Sequence, residues 1–152
     1  MRELEELRRR FCSHVPGLMG ARHSYAVLCP LVEHSDGLHL LFEVRAAGLR
    51  QGGEVCFPGG RAEPGESPMD CALRETAEEL SIPPSAVTVF GMADFICNQR
   101  GFLLYPVPGL VSPAGLESMC PSPAEVAAVF TVPLSFFRAP EPEVLPYDLV
   151  HQ

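Results

Sequence analysis

The stretch Gly60-Arg-Ala-Glu-Pro-Gly-Glu66-Ser-Pro-Met-Asp-Cys-Ala-Leu-Arg74-Glu75-Thr-Ala-Glu78-Glu79-Leu-Ser-Ile82 decides how this chain is read. Its second half predicts a helix over 67–81. Ser67 suits the N-cap, Pro68 the first helical position and Asp70 the acidic place of a capping box. Pro83-Pro84 stop the helix soon after Ser81. At about 100° per residue, with Glu75 at zero, Glu78 falls at about 300° and Glu79 at about 40°. Three carboxylates therefore share one side, while Met69, Ala72, Leu73, Thr76, Ala77 and Leu80 share another. Clustered like charges destabilise a helix, and Arg74, four residues before Glu78, relieves part of that. A solvated acidic face is one reading of the cluster. A site for a hard divalent cation, which prefers carboxylate oxygens, is the other.

Upstream of this helix, Ser24 to Val32 is an apolar, β-rich run. His34-Ser-Asp-Gly37 is a turn, and Leu38 to Val44 reads as the second strand of a hairpin. Residues 45–61, rich in glycine and arginine, read as irregular. Downstream, 87–90 and 101–107 read as strands, and 112–123 as a loop rich in Pro, Ser and Gly. Residues 124–134 end in a strand and 134–138 form a short helix. Met1 to Phe11 reads as a charged N-terminal helix, and 140–152 has no clear element. Strands mixed with two or three helices make an α/β chain, and 152 residues suit a single domain spanning 1–152.

The composition narrows the partners. The 11 basic residues, all arginine, face 19 acidic ones, giving a net charge of −8. Such a surface repels phosphate backbones, which argues against nucleic acid, yet a bound divalent metal reverses the local sign for a small phosphorylated molecule. No apolar run is long enough for a membrane helix, and the N-terminus has no signal-peptide core. With a His-Gln ending in place of a peroxisomal S-K-L, the expected location is the cytoplasm. Cys12, Cys29, Cys56, Cys71, Cys97 and Cys120 form no C-x-x-C pair and read as reduced core residues. The five histidines show no metal-ligand spacing. Phe95, Phe136 and Phe137 read as core.

The quoted stretch resembles the Nudix box, G-x5-E-x7-R-E-U-x-E-E-x-G-U, where U is a bulky aliphatic residue. Gly60, Glu66, Arg74, Glu75, Glu78, Glu79 and Ile82 match. Thr76 stands in place of an aliphatic residue and Ser81 in place of the final glycine. Thr76 keeps a β-branched shape and can bond its hydroxyl back along the helix. Ser81 matters if the helix ends at positive φ.

A second resemblance covers Leu41-Phe-Glu-Val-Arg45, Leu49-Arg50 and Gly53-Glu-Val-Cys-Phe57-Pro-Gly-Gly60. It is to the coenzyme A diphosphatase signature, approximately L-L-T-x-R-[SA]-x3-R-x3-G-x3-F-P-G-G. The Arg50–Gly53 spacing is one residue short, and Glu43 replaces the threonine. Pro121 to Leu134, with Glu125-Val126, resembles a further segment of that subgroup. Together these similarities span residues 24–138.

The resemblance implies a Nudix-type α/β/α sandwich around a mixed sheet, with the usual C-terminal helix missing from the chain. Either the chain is a truncated form, or the N-terminal helix or a second subunit covers the face left bare; left uncovered, that face favours a homodimer or poor solubility. It further implies Mg²⁺ or Mn²⁺ held by Glu75, Glu78, Glu79 and the carbonyl of Gly60. Arg74 and Glu66 would orient those carboxylates, and Glu75 or Glu79 would act as base. Arg45, Arg50 and Arg61 become candidates for the substrate's phosphates, because guanidinium binds phosphate oxygens bidentately; pairing with Glu43, Glu54 or Glu63 is the competing use. Glu125 is carried over as a substrate-site residue, an extra metal ligand or base. The implied reaction hydrolyses the diphosphate of coenzyme A or its thioesters to 4′-phosphopantetheine and 3′,5′-ADP. The alternatives are hydrolysis of another nucleoside diphosphate derivative and a Nudix-fold module that binds a nucleotide without cleaving it.

Overall fold

The computed structural model describes residues 2–12, 23–98 and 101–138. Eight strands form one mixed sheet: β1 (His23–His34), β2 (Gly37–Arg45), β3 (Val55–Cys56), β4 (Gly59–Arg61), β5 (Val87–Val89), β6 (Ile96–Cys97), β7 (Phe102–Val111) and β8 (Val126–Pro133). The helices are α1 (Arg2–Cys12), α2 (Pro68–Leu80) and α3 (Pro113–Glu117), with 3-10 turns at Pro84–Ala86 and Leu134–Arg138.

Strand β1 is the centre of the sheet. It forms the expected hairpin with β2, Leu31 opposite Leu40, and runs parallel to β7 with Leu28 opposite Val107. It also pairs with β4, Val27 opposite Gly59. That last pairing brings the glycine-rich segment back to the middle of the sheet. Strand β2 carries β8 antiparallel to it, Leu41 opposite Thr131, and β3 pairs beside Glu43, opposite Cys56.

Alternation explains which face is buried. Every second residue of β1 from Ala26 to Val32 is buried, and so are His39, Leu41 and Glu43 of β2. Helix α2 lies on that face. Its Leu80 packs with Leu41, Val32, Ile82, Val111 and Val126, while Cys71 and Ala72 pack with Ala26, Leu28 and Val107. Leu28, Leu41, Leu80 and Ile82 are completely or almost completely buried, each contributing about 2 kcal/mol of transfer free energy. On the opposite face Phe42 stacks on Phe57 and Phe130, and Phe137 of the last 3-10 turn approaches it.

Helix α2 starts as expected. Ser67 Oγ accepts from the Asp70 N–H at 3.1 Å and donates to Asp70 Oδ2 at 2.6 Å, with Pro68 following the cap. Ser81 ends the helix at φ 60°, ψ 23°, the left-handed conformation that the missing glycine would favour. Its hydroxyl donates to the Cys120 carbonyl at 2.9 Å. Thr76 is fully buried and donates to the Ala72 carbonyl at 2.7 Å, as its shape predicted.

Several expectations need correcting. Residues 45–61 are not wholly irregular, because β3 and β4 lie there. Nor is 112–123 all loop: Ser112 caps α3, accepting from the Gly115 N–H at 3.2 Å. All six cysteines are free, but Cys12, Cys97 and Cys120 are exposed and only Cys71 is buried. Phe95, Phe136 and Phe137 are exposed, at 56%, 68% and 50%, instead of core. The expected lack of a C-terminal helix falls on residues 139–152, outside the described residues.

Candidate active site

The loop from Gly59 to Glu66 and helix α2 bring most of the expected residues together around Arg74. Its Nε and Nη2 donate to the two Glu66 oxygens at 2.8 and 3.0 Å, a bidentate fork. Its Nη1 donates to Glu75 Oε1 at 2.8 Å and Glu78 Oε2 at 3.3 Å, and Nη2 also reaches the Arg61 carbonyl at 3.2 Å. One guanidinium thus ties the loop to the helix. The fork, with the Glu63 N–H at 2.9 Å, holds the Glu66 carboxyl down to about 2. The same fork, its gain exceeding the loss from partial burial, pushes Arg74 further up its already basic range.

The three helix carboxylates are not equally exposed. Glu78 is exposed, the Glu75 side chain retains 18% of its accessibility, and Glu79 is buried at 6%. The cluster straddles the edge of the buried face, because Glu79 lies only about 20° from Ala72 around the helix. Glu79 Oε2 accepts from the Gly59 N–H at 2.8 Å. Burial, then the charge of Glu43, push the Glu79 carboxyl up to about 8 against the pull of that hydrogen bond, with Glu75 and Glu125 adding to the rise. Burial also raises Glu75, opposed by Arg74.

Gly60 sits directly under Glu75. A Cβ at position 60 would overlap the Glu75 carboxylate, so only glycine allows this approach. Gly59 is more tightly constrained: a Cβ there would collide with backbone, the Ala26 carbonyl and Val27 Cα across the β1–β4 pairing, whereas at Gly60 it would meet the end of the Glu75 side chain.

The remaining expected residues lie around this centre. Arg45, at the end of β2, donates to the Arg50 carbonyl at 3.4 Å, and Arg50 is exposed. Arg61 turns to His23, 2.8 Å from its Nδ1. None of the three forms an ion pair with Glu43, Glu54 or Glu63 among the described residues. Glu125 is exposed, yet its charge reaches Glu43, Glu75 and Glu79. Among the described residues no three His, Cys, Asp or Glu side chains converge closely enough to enclose an ion. Arg74 takes up Glu75 and Glu78, and the Gly59 N–H takes up Glu79.

Sequence reasoning gave Glu43 no part in the site. It is 1% exposed; its Oε1 accepts from the Cys56 thiol at 3.5 Å, and its Oε2 has no hydrogen-bond partner. Burial raises its carboxyl, and burial together with Glu43 pushes the Cys56 thiol up to about 11. The signal was an acid in phase with His39 and Leu41 on an alternating strand.

Residues 22–145 match the family model described as NUDIX domain. The chain belongs to this family. It is 39% identical over 117 residues to Nudix hydrolase 3 of Caenorhabditis elegans, a match covering 75% of this chain and 49% of that protein. It is 44% identical over 116 residues to an uncharacterized Nudix hydrolase, NudL, of Photorhabdus laumondii, covering 75% and 60%. The chain thus spans about half to three-fifths of these curated relatives. Among solved structures, it resembles the Nudix hydrolase RenU of M. smegmatis with a TM-score of 0.63 at 24% identity, over 73% of this chain and 70% of that one. The mixed sheet with α2 packed on one face is the Nudix fold.

Proposed function

We propose that this Nudix chain is a metal-dependent diphosphatase that hydrolyses coenzyme A or its thioesters to 4′-phosphopantetheine and 3′,5′-ADP. The observation that carries the hydrolase reading is the Arg74 hub: one guanidinium holds Glu66, Glu75 and Glu78 within 3.3 Å while Glu79 is buried beside Gly59. A module that only bound nucleotide would have no use for so ordered a set of carboxylates.

The residues fit a divalent cation. A buried carboxylate oxygen without a partner, at Glu43, and a glycine whose bare Cα lets the Glu75 carboxylate lie against the backbone, at Gly60, suit an oxygen-rich cation site. Glu75, Glu78, Glu79 and the Gly60 carbonyl would hold Mg²⁺ or Mn²⁺, which when bound neutralises the diphosphate and lowers the pKa of attacking water. Arg74 and Glu66 orient Glu75 and Glu78. Glu75 or Glu79 accepts the proton of the attacking water.

Coenzyme A is preferred over other diphosphates on the similarity of residues 41–60 and 121–134 to the coenzyme A diphosphatase segments. Arg45 and Arg50 support it, since among the described residues neither guanidinium forms an ion pair with a local glutamate, although the Arg45 charge acts on Glu43, and both stand at the edge of the same loop. Arg61, Glu125 and a cytoplasmic location belong to this reading as well.

The test is incubation with coenzyme A and Mg²⁺, following 4′-phosphopantetheine and 3′,5′-ADP, with Glu79→Gln beside the wild type. Both products are expected from the wild type, and a rate lower by about a hundredfold or more from the variant. A folded, metal-binding wild type that leaves coenzyme A intact but cleaves a dinucleoside polyphosphate, a nucleotide sugar or NADH would overturn the substrate. Cleavage of none of them would overturn the hydrolase reading in favour of a binding module.

A further inference from the structure

Glu43 lies outside the Nudix box, on strand β2, where the resembled signature carries threonine. Nothing in the fold explains a carboxylate there. It is 1% exposed, and Oε2 meets no donor. Oε1 meets only the Cys56 thiol at 3.5 Å, a weak donor at long range. Val129 and Cys56, its register partners on either side, offer no positive charge. Arg45, two residues on, eases it through its charge but forms no ion pair with it among the described residues, donating instead to the Arg50 carbonyl. A buried, half-satisfied carboxylate is costly and is kept where something outside the chain completes it.

Its position says what that is. Glu43 shares its sheet face with Leu41, and Leu41 packs against Leu80, the residue after Glu79. Strand β2 therefore presents Glu43 to the end of α2 that carries Glu79, and the charges of Glu75 and Glu125 bear on the same place. Glu79 of α2 is thus within the charge influence of Glu43 on β2 and of Glu125 in the turn before β8, and one Glu43 oxygen is uncommitted.

We propose that Glu43 is a further metal ligand, adding a carboxylate oxygen from strand β2 to the divalent cation of the Nudix helix. The inference rests on the metal-site reading above and deepens it. A fourth protein carboxylate on a separate element raises the negative charge facing the cation and ties its binding to the β2–α2 packing. The ligand class is a hard divalent cation, because the proposed ligands are carboxylate oxygens and the nearby Cys56 thiol is held protonated against Glu43.

The test is Mn²⁺ binding to the purified chain, followed by the loss of the free-ion electron paramagnetic signal, for wild type, Glu43→Gln, Glu43→Thr and Glu75→Gln. Melting curves in EDTA and in Mn²⁺ accompany it. Both Glu43 variants are expected to bind Mn²⁺ about tenfold or more weakly. In EDTA they should melt at or above the wild type, since each removes a buried charge, and in Mn²⁺ below it. A structural role would instead lower the melting temperature in EDTA. Wild-type Mn²⁺ affinity in both Glu43 variants, with weakened binding in Glu75→Gln, would overturn the role of Glu43 while leaving the helix site intact. No Mn²⁺ binding by the wild type would overturn both.

Discussion

Replacing Glu79 by glutamine should make the metal-free protein more stable. Glu79 is 6% exposed, and burial, reinforced by Glu43, lifts its carboxyl from 4.5 to about 8. In the unfolded chain the same group ionises near its ordinary value. Between those two pH values the unfolded state binds fewer protons than the folded one, so stability falls as pH rises. Below pH 4.5 both states are protonated and the penalty vanishes. At pH 7 it covers about 2.5 pH units at about 1.4 kcal/mol each, or about 3 kcal/mol, and it levels off above pH 8. Glutamine keeps the size and still offers the Gly59 N–H an acceptor oxygen, but cannot ionise. The expected result in EDTA is a variant that melts about 10 °C above the wild type at pH 7, with the gap closing toward pH 4.5. The assay is thermal unfolding of both proteins across pH 4.5–8.5. A variant less stable than wild type at pH 8, or a gap that ignores pH, would refute the reasoning.

Two further outcomes follow from the box. Glu66 behaves oppositely to Glu79, because the Arg74 fork and the Glu63 N–H hold its carboxyl down to about 2. Its contribution is complete above pH 4.5 and disappears as pH falls through 2, so urea unfolding should show the Glu66→Gln deficit constant from pH 5 to 8 and shrinking below pH 4.5. Gly59→Ala places a Cβ against the Ala26 carbonyl and Val27 Cα, both backbone, so the neighbours cannot yield as a side chain would. A loss of about 3 kcal/mol in urea unfolding is expected, and a loss below about 1 kcal/mol would show that β4 shifts freely on β1.

The parts of the fold that could be read from sequence were those governed by local chemistry. Ser67, Pro68 and Asp70 act within one turn of each other, so the start of α2 is written in consecutive residues. The hairpin of β1 and β2 is similarly local, with a turn between two alternating runs. Strands β3 and β4 are different. They are two and three residues long, too short to show a period, and exist only because β2 and β1 supply distant partners. Helix α3 carried the same Ser-Pro opening at Ser112-Pro113 that identified α2. Its five residues were too few for an apolar stripe, so the loop composition prevailed. Phe95, Phe136 and Phe137 show the limit of composition, since an aromatic side chain does not by itself say whether anything covers it.

The candidate site divides along the same line. Arg74 meets Glu78 because i,i+4 positions share a helix face, whereas its contact with the adjacent Glu75 is not dictated by helix spacing; it reaches Glu66 because the intervening loop is short. The burial of Glu79 was harder to foresee. A helical wheel places it near the apolar edge, but only the approach of Gly59, made possible by the β1–β4 pairing, turns that edge into an enclosed one. Glu43 required more still. Its inward phase on β2 could be read from sequence, and a carboxylate there breaks the apolar inward phase that Leu41 keeps. Such a violation has a cost that the local structure leaves uncompensated, as the orphaned Oε2 shows. Where sequence pattern and packing physics disagree at one residue, and the charge of that residue acts on a buried carboxylate 36 positions along the chain, the proposed metal role is the term that reconciles them.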